Sequence, residues 1–180
     1  MRLKGVLISI ALLLPVPIRS AFAAPQNGIC SLPEDLQSEV TKKYPGAKVV
    51  SPSDLQNDDR KFFEADHKNS CPGLVKVDFY GDGKPTVAFV LIPRGMSKEH
   101  TELIVARHDG ERWNMMRLGT GGSSPNAPVV WSQPPGEYRD VYGNKTIRAT
   151  RPVIVFCKYE SWSILYAWTG NHVAKVWLSD

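Results

Sequence analysis

The sequence predicts an α+β fold in which N-terminal helices pack on a mostly antiparallel, meandering β-sheet. Two observations carry this expectation. Before Gly73 apolar residues recur at helical spacing, and after it the chain breaks into short Val-, Phe- and Trp-rich runs separated by Gly, Asn and Asp turns. No helical segment separates those runs, so the crossovers that a parallel sheet requires are missing.

Residues 1–23 stand apart from that pattern. Arg2 and Lys4 precede an apolar run from Val6 to Leu14, and Ala21-Phe22-Ala23 follows with small residues where a signal peptidase reads. The run is well short of the ~20 residues a membrane-spanning helix needs, so cleavage after Ala23, or alternatively after Ala24, is expected in place of anchoring. No later stretch is long and apolar enough to span. Residues 24–180 are then one globular domain, of a size that buries about 70% of its unfolded surface.

Cleavage also changes the charge. The 180-residue chain has 22 Lys and Arg against 18 Asp and Glu, and the loss of Arg2, Lys4 and Arg19 lowers the net charge from +4 to +1. Binding to nucleic acid, which needs a clustered basic face, is not implied. All three cysteines, Cys30, Cys71 and Cys157, remain after cleavage. An oxidising compartment, periplasmic or extracellular, favours one disulfide. Cys30 and Cys71 lie in loop-like sequence beside Gly or Pro and are the expected pair, whereas Cys157 alternates with Val153 and Val155 on an expected buried strand face.

The first helix is expected from a Ser31 cap with Pro33 in its first turn, carrying Leu36, Val40 and Tyr44 on one stripe up to Pro45-Gly46. Lys48 to Val50 reads as a short strand and Asp58 to His67 as a second helix. Leu74 to Tyr80 and Thr86 to Ile92 flank turn chemistry at Gly81 to Lys84, and Glu102 to His108 and Arg112 to Leu118 flank Asp109-Gly110, so two hairpins are expected. Val87 to Ile92 is apolar on both faces, which places it centrally with cover above and below. Val129 to Gln133, Val153 to Tyr159, Trp162 to Trp168 and Val173 to Leu178 complete the strands.

The segment Asp78-Phe79-Tyr80-Gly81-Asp82-Gly83-Lys84-Pro85-Thr86 resembles the calcium loop of FG-GAP or VCBS-type repeats, in which oxygen ligands alternate along a Gly-bent turn. The likeness covers Leu74 to Pro93 as a single copy, an arrangement similar to that of exported bacterial proteins with one such loop after Cys-Pro-Gly. It implies calcium as the one candidate cofactor, with Asp78 and Asp82 at the matching first and fifth positions and Thr86 at the ninth, where the family more often has Asp. Tyr80 holds the third position, where the family more often has Asp or Asn. The alternative for the two aspartates is bonding to amides of their own turn, with the glycines supplying positive φ.

Other chemistry-bearing patterns are sparse. No Gly-x-Ser-x-Gly elbow occurs, Gly143-Asn144-Lys145-Thr146 lacks the Gly-Lys step of a phosphate loop, and the four histidines are scattered. Trp162, Tyr166 and Trp168 share one strand face with Ile164, and such a face serves equally as a binding surface or as core. Three readings follow. The first is a non-enzymatic exported binding protein, such as an inhibitor or immunity-type factor whose partner is another envelope or secreted protein. The second is a calcium-stabilised structural module. The third is an envelope-polymer hydrolase with carboxylates among Asp78, Asp82 and Glu99.

Overall fold

The computed structural model describes residues 28–94, 100–122 and 125–180. The expected signal segment and Glu99 lie outside the described residues. Leu36 and Val40 form the buried stripe of helix α1 (Glu34–Lys43), and Phe63 is the buried residue of α2 (Asn57–Asp66). The Ser31 cap does not form. Pro33 occupies the cap position and its carbonyl accepts the first helical bond from the Gln37 amide, because proline fixes φ where the helix turns in.

Strand β1 (Lys48–Val49), β2 (Leu74–Val77), β3 (Thr86–Ile92), β4 (Thr101–Asp109) and β5 (Arg112–Gly121) make one antiparallel sheet. Its order is β1-β3-β4-β5, with β2 also paired to β3. A second antiparallel sheet has the order β11-β10-β9-β6, built from β6 (Val129–Gln133), β9 (Val153–Lys158), β10 (Trp162–Trp168) and β11 (Val173–Ser179). Strands β7 (Gly136–Arg139) and β8 (Thr146–Ala149) pair as a separate ribbon.

The predicted α+β class is therefore corrected to a mostly antiparallel β-protein. Among the described residues 47% are strand and 16% helical, and the α-helices are two short ones. The physical reason is area. Three-turn helices that bury one or two side chains each cannot form a covering layer, and the first sheet is covered mainly by the second. Ala88 and Val90 of β3 and Leu103 and Val105 of β4 share one large apolar cluster with Val129, Ile154, Phe156, Leu165 and Tyr166. The alternating residues Val87, Phe89, Leu91, Ile104 and Ala106 form a smaller cluster with Leu36 and Val40. This period-two division explains why β3 is apolar on both faces.

The single meander expected from the sequence is split between two sheets, and they meet closely at β5. Gly119 and Gly121 lie against Tyr166 and Phe156, with no room for a side chain at either position. On the other side, the amides of Val90 and Val130 donate to the carbonyls of Gly73 and Pro72, so this one stretch is bonded to both sheets. It is anchored by the Cys30–Cys71 disulfide, with a Cα separation of 5.1 Å. Cys157 is buried with a free thiol. Burial pushes its pKa up to about 11 despite the opposing hydrogen bond with Ser163.

Candidate functional site

The glycines of the Asp78–Thr86 segment adopt left-handed backbone, with φ of +67° at Gly81 and +76° at Gly83. That bend folds the loop back on its own carboxylates. Asp78 accepts hydrogen bonds from the Asp82 amide at 3.2 Å and the Gly83 amide at 3.1 Å. Asp82 accepts from the Lys84 amide at 3.1 Å with one oxygen and from the Arg107 guanidinium with the other. Burial alone would raise the Asp82 carboxyl, but the Lys84 amide and Arg107 outweigh it and hold the pKa below the ordinary carboxylate value.

Thr86 does not face the loop's open side. It is fully buried at the start of β3, paired with Val77, and its hydroxyl has no hydrogen-bond partner among the described residues. Among the described residues, no group of three or more His, Cys, Asp or Glu side chains is placed to hold a metal ion. The carboxylates that matched the calcium pattern are engaged by amides and by a cation.

Arg107 links this loop to the aromatic face. Its guanidinium carbon stands 4.7 Å from the centre of the Tyr80 ring, and Tyr80 meets the edge of Trp168 with ring centres 5.0 Å apart. The guanidinium is therefore gripped on two sides, by a carboxylate and by an aromatic ring, and its remaining N–H groups are positioned before any ligand arrives. Tyr80 is itself pushed above the ordinary phenol value, chiefly by burial, with Arg107 opposing and Asp82 adding. Tyr166 lies deeper, and burial raises it to about 12.

These residues line a cleft of about 680 Å³ between β4–β5 on one side and β10–β11 on the other. The volume falls within the usual range of ligand sites. Its lining includes the cations Arg107 and Lys175 and no carboxylate, together with Tyr80, Tyr166 and Trp168, while Arg117, on the α1 face of β5 with Trp113 and Met115, meets only its rim. Arg117 is held by Glu102 at 3.2 Å, and the Lys175 ammonium sits 4.5 Å from the centre of the Trp177 ring. His172 closes one end, its Nδ1 2.7 Å from Asn171 Oδ1.

The structure thus brings Asp82, Tyr166 and Trp168 to one region and separates Trp162 from them. Trp162 is half-buried and packs edge-on against Phe156, with ring centres 5.0 Å apart. Sequence reasoning did not single out Arg107, Arg117 or Lys175. A cation within β4 and a carboxylate in the turn before β3 become partners only through the register Thr86↔Arg107. Compared with protein-family models, curated proteins and solved structures, the chain matches none of them.

Proposed function

We propose that this chain is an exported binding protein that holds or blocks another envelope or secreted protein, and that the partner seats on the cleft between β5 and β11. The observation that carries this reading is the cation and aromatic lining at Tyr80, Arg107 and Trp168, arranged without a carboxylate facing the opening. Clustered aromatic and arginine side chains are the usual anchors of a protein interface, because they bury large area at low entropic cost. The disulfide and the amino-terminal signal pattern support export. No helix of the described residues is long and apolar enough to cross a membrane.

The test is capture from an envelope extract with the exported protein as bait, set beside Trp168→Ala and Lys175→Glu variants whose folding is checked by thermal unfolding. A protein retained by the wild type and lost from both variants is the expected result. Equal capture by wild type and both variants, or no specific capture by the wild type, would overturn the reading.

A further inference from the structure

We infer that the partner presents an acidic, extended segment that adds as a strand to the free edge of β5. This deepens the binding reading above and rests on it. Strand β5 is ten residues long and ends its sheet, with β4 on one side only. The hairpin turn fixes which of its backbone groups point outward. Asp109 and Arg112 flank a two-residue turn, so in the register that follows, Trp113, Met115 and Arg117 occupy the positions that turn N–H and C=O away from β4. The Trp113 amide confirms the alternation, since it points to Glu39 of α1 at 3.5 Å. Among the described residues, no partner meets the outward amides of Met115 and Arg117.

The end strand of the other sheet is protected where β5 is not. Along β11 the Trp177 carbonyl accepts from the Val141 amide, the Trp177 amide donates to Asp140, and the Lys175 carbonyl accepts from the Lys145 ammonium. An exposed strand edge is a template for another chain, and proteins ordinarily cover it. Here one edge is capped by the β7–β8 connection and its counterpart across the cleft is not.

The flanks of β5 specify what kind of strand fits. Side chains of an added strand alternate between the two faces of the sheet, so each face must offer them space. On one face is the 680 Å³ cleft, and on the other a groove of about 790 Å³ is lined by α1 and the start of β5. Together the two are lined by Lys42, Lys43, Arg107, Arg112, Arg117 and Lys175, against the carboxylates of Glu39 and Asp109. Arg107 is already paired with Asp82 and Arg117 with Glu102, so among the described residues the unpaired groups are Lys175 on the cleft side and Lys42, Lys43 and Arg112 against Glu39 and Asp109 on the groove side, one cation in excess on each. A segment with acidic side chains would satisfy the edge amides with its backbone and the flanking cations with its carboxylates.

Main-chain pairing makes part of the affinity independent of the partner's exact sequence, so a generic probe serves. The probe is a capped peptide of alternating Glu and Val, matched to β5 at roughly ten residues. Binding is followed by calorimetry at low salt, and amide hydrogen exchange of the full protein reports the edge. Saturable binding with slowed exchange at Met115 and Arg117 is expected. About tenfold or greater weakening is expected for a Lys-Val peptide, and likewise for a Glu-Val peptide N-methylated at alternate residues. Lys175→Gln with Lys43→Gln should weaken the Glu-Val peptide while leaving the fold intact, since among the described residues neither lysine is held in an ion pair. Equal binding of the N-methylated peptide would overturn strand addition, equal binding of the Lys-Val peptide would overturn the acidic preference, and no binding of the Glu-Val peptide would overturn both. If a partner is captured as above while the peptide fails, this inference falls and the binding reading stands; if neither binds, both fall.

Discussion

Replacing the bridged pair by Cys30→Ser with Cys71→Ser removes the covalent tie across the segment that carries α1, β1 and α2. The cysteines are separated by 41 residues in sequence. The loop-entropy relation gives about 4 kcal/mol for a closure of that length. Local losses add little to this. Cys71 is buried, but its sulfur stands 3.6 Å from the Val50 carbonyl oxygen, so a serine hydroxyl there has an acceptor within reach. For a domain of this size about 1 kcal/mol corresponds to roughly 2 to 4 °C, so the double variant should melt about 8 to 16 °C below the wild type. Urea unfolding followed by far-UV circular dichroism gives the free energy, and a thermal scan gives the midpoint. Reduced wild type should behave like the variant. A loss under about 1 kcal/mol would refute the reasoning, because it would mean that the helical segment is held by packing alone and that the bridge constrains little in the unfolded chain.

Asp54 is buried and accepts from the Ser51 amide at 3.0 Å and the Ser51 hydroxyl at 2.8 Å while pairing with Lys48. Asp54→Ala should therefore cost roughly 1 to 3 kcal/mol by urea unfolding. Burial works to raise the Asp54 pKa, but Lys48 and Ser51 outweigh it and hold the folded value below 3.8. Its contribution should be complete above that pH and disappear as pH falls through the depressed value, and Asp54→Asn should flatten this acid limb of the stability profile. Gly121→Ala would set a methyl 2.5 Å from Pro128 and 2.9 Å from Phe156, an overpacking worth roughly 1 to 3 kcal/mol in the same assay. Gly83→Ala meets no neighbour and should cost only left-handed strain, about 1 kcal/mol. Millimolar calcium should leave the melting temperature of the wild type unchanged relative to chelator, since Asp78 and Asp82 are already engaged. A rise of several degrees in wild type that is lost in Asp82→Ala would instead make the loop a calcium site.

Local signals in the chain located most of the strands. Asp109-Gly110 marked the β4–β5 hairpin and the Val-, Phe- and Trp-rich runs marked β2, β3, β9, β10 and β11, because turn chemistry and side-chain alternation are properties of neighbouring residues. What escaped was how much of the fold those strands make. Strands β7 and β8 are short and carry Glu137, Arg139 and Arg148, so nothing local separates them from loop. Their inward residues Ile147 and Ala149 are buried only by tertiary packing. The two-sided burial of β3 was legible, but the identity of its covers was not, because β6 and β9 to β11, read as later strands of one meander, form a second sheet over one face. At the site, Tyr166 and Trp168 were visible as an aromatic face. The cations that give the cleft its character were not, since Asp82 and Arg107 lie 25 residues apart and become neighbours through sheet register.

Docking of a partner at the cleft bordered by β5 is read out most directly by placing a photo-crosslinking side chain at Met116, which is exposed and lines the cleft, and separately at Tyr142, which is more exposed but outside it. Both proteins are exported, illuminated in the intact envelope and resolved by mass. An adduct at the Met116 position that the Glu-Val peptide suppresses, with none at the Tyr142 position, is the predicted result. An adduct at the Tyr142 position alone, or none at either, would contradict docking at the cleft.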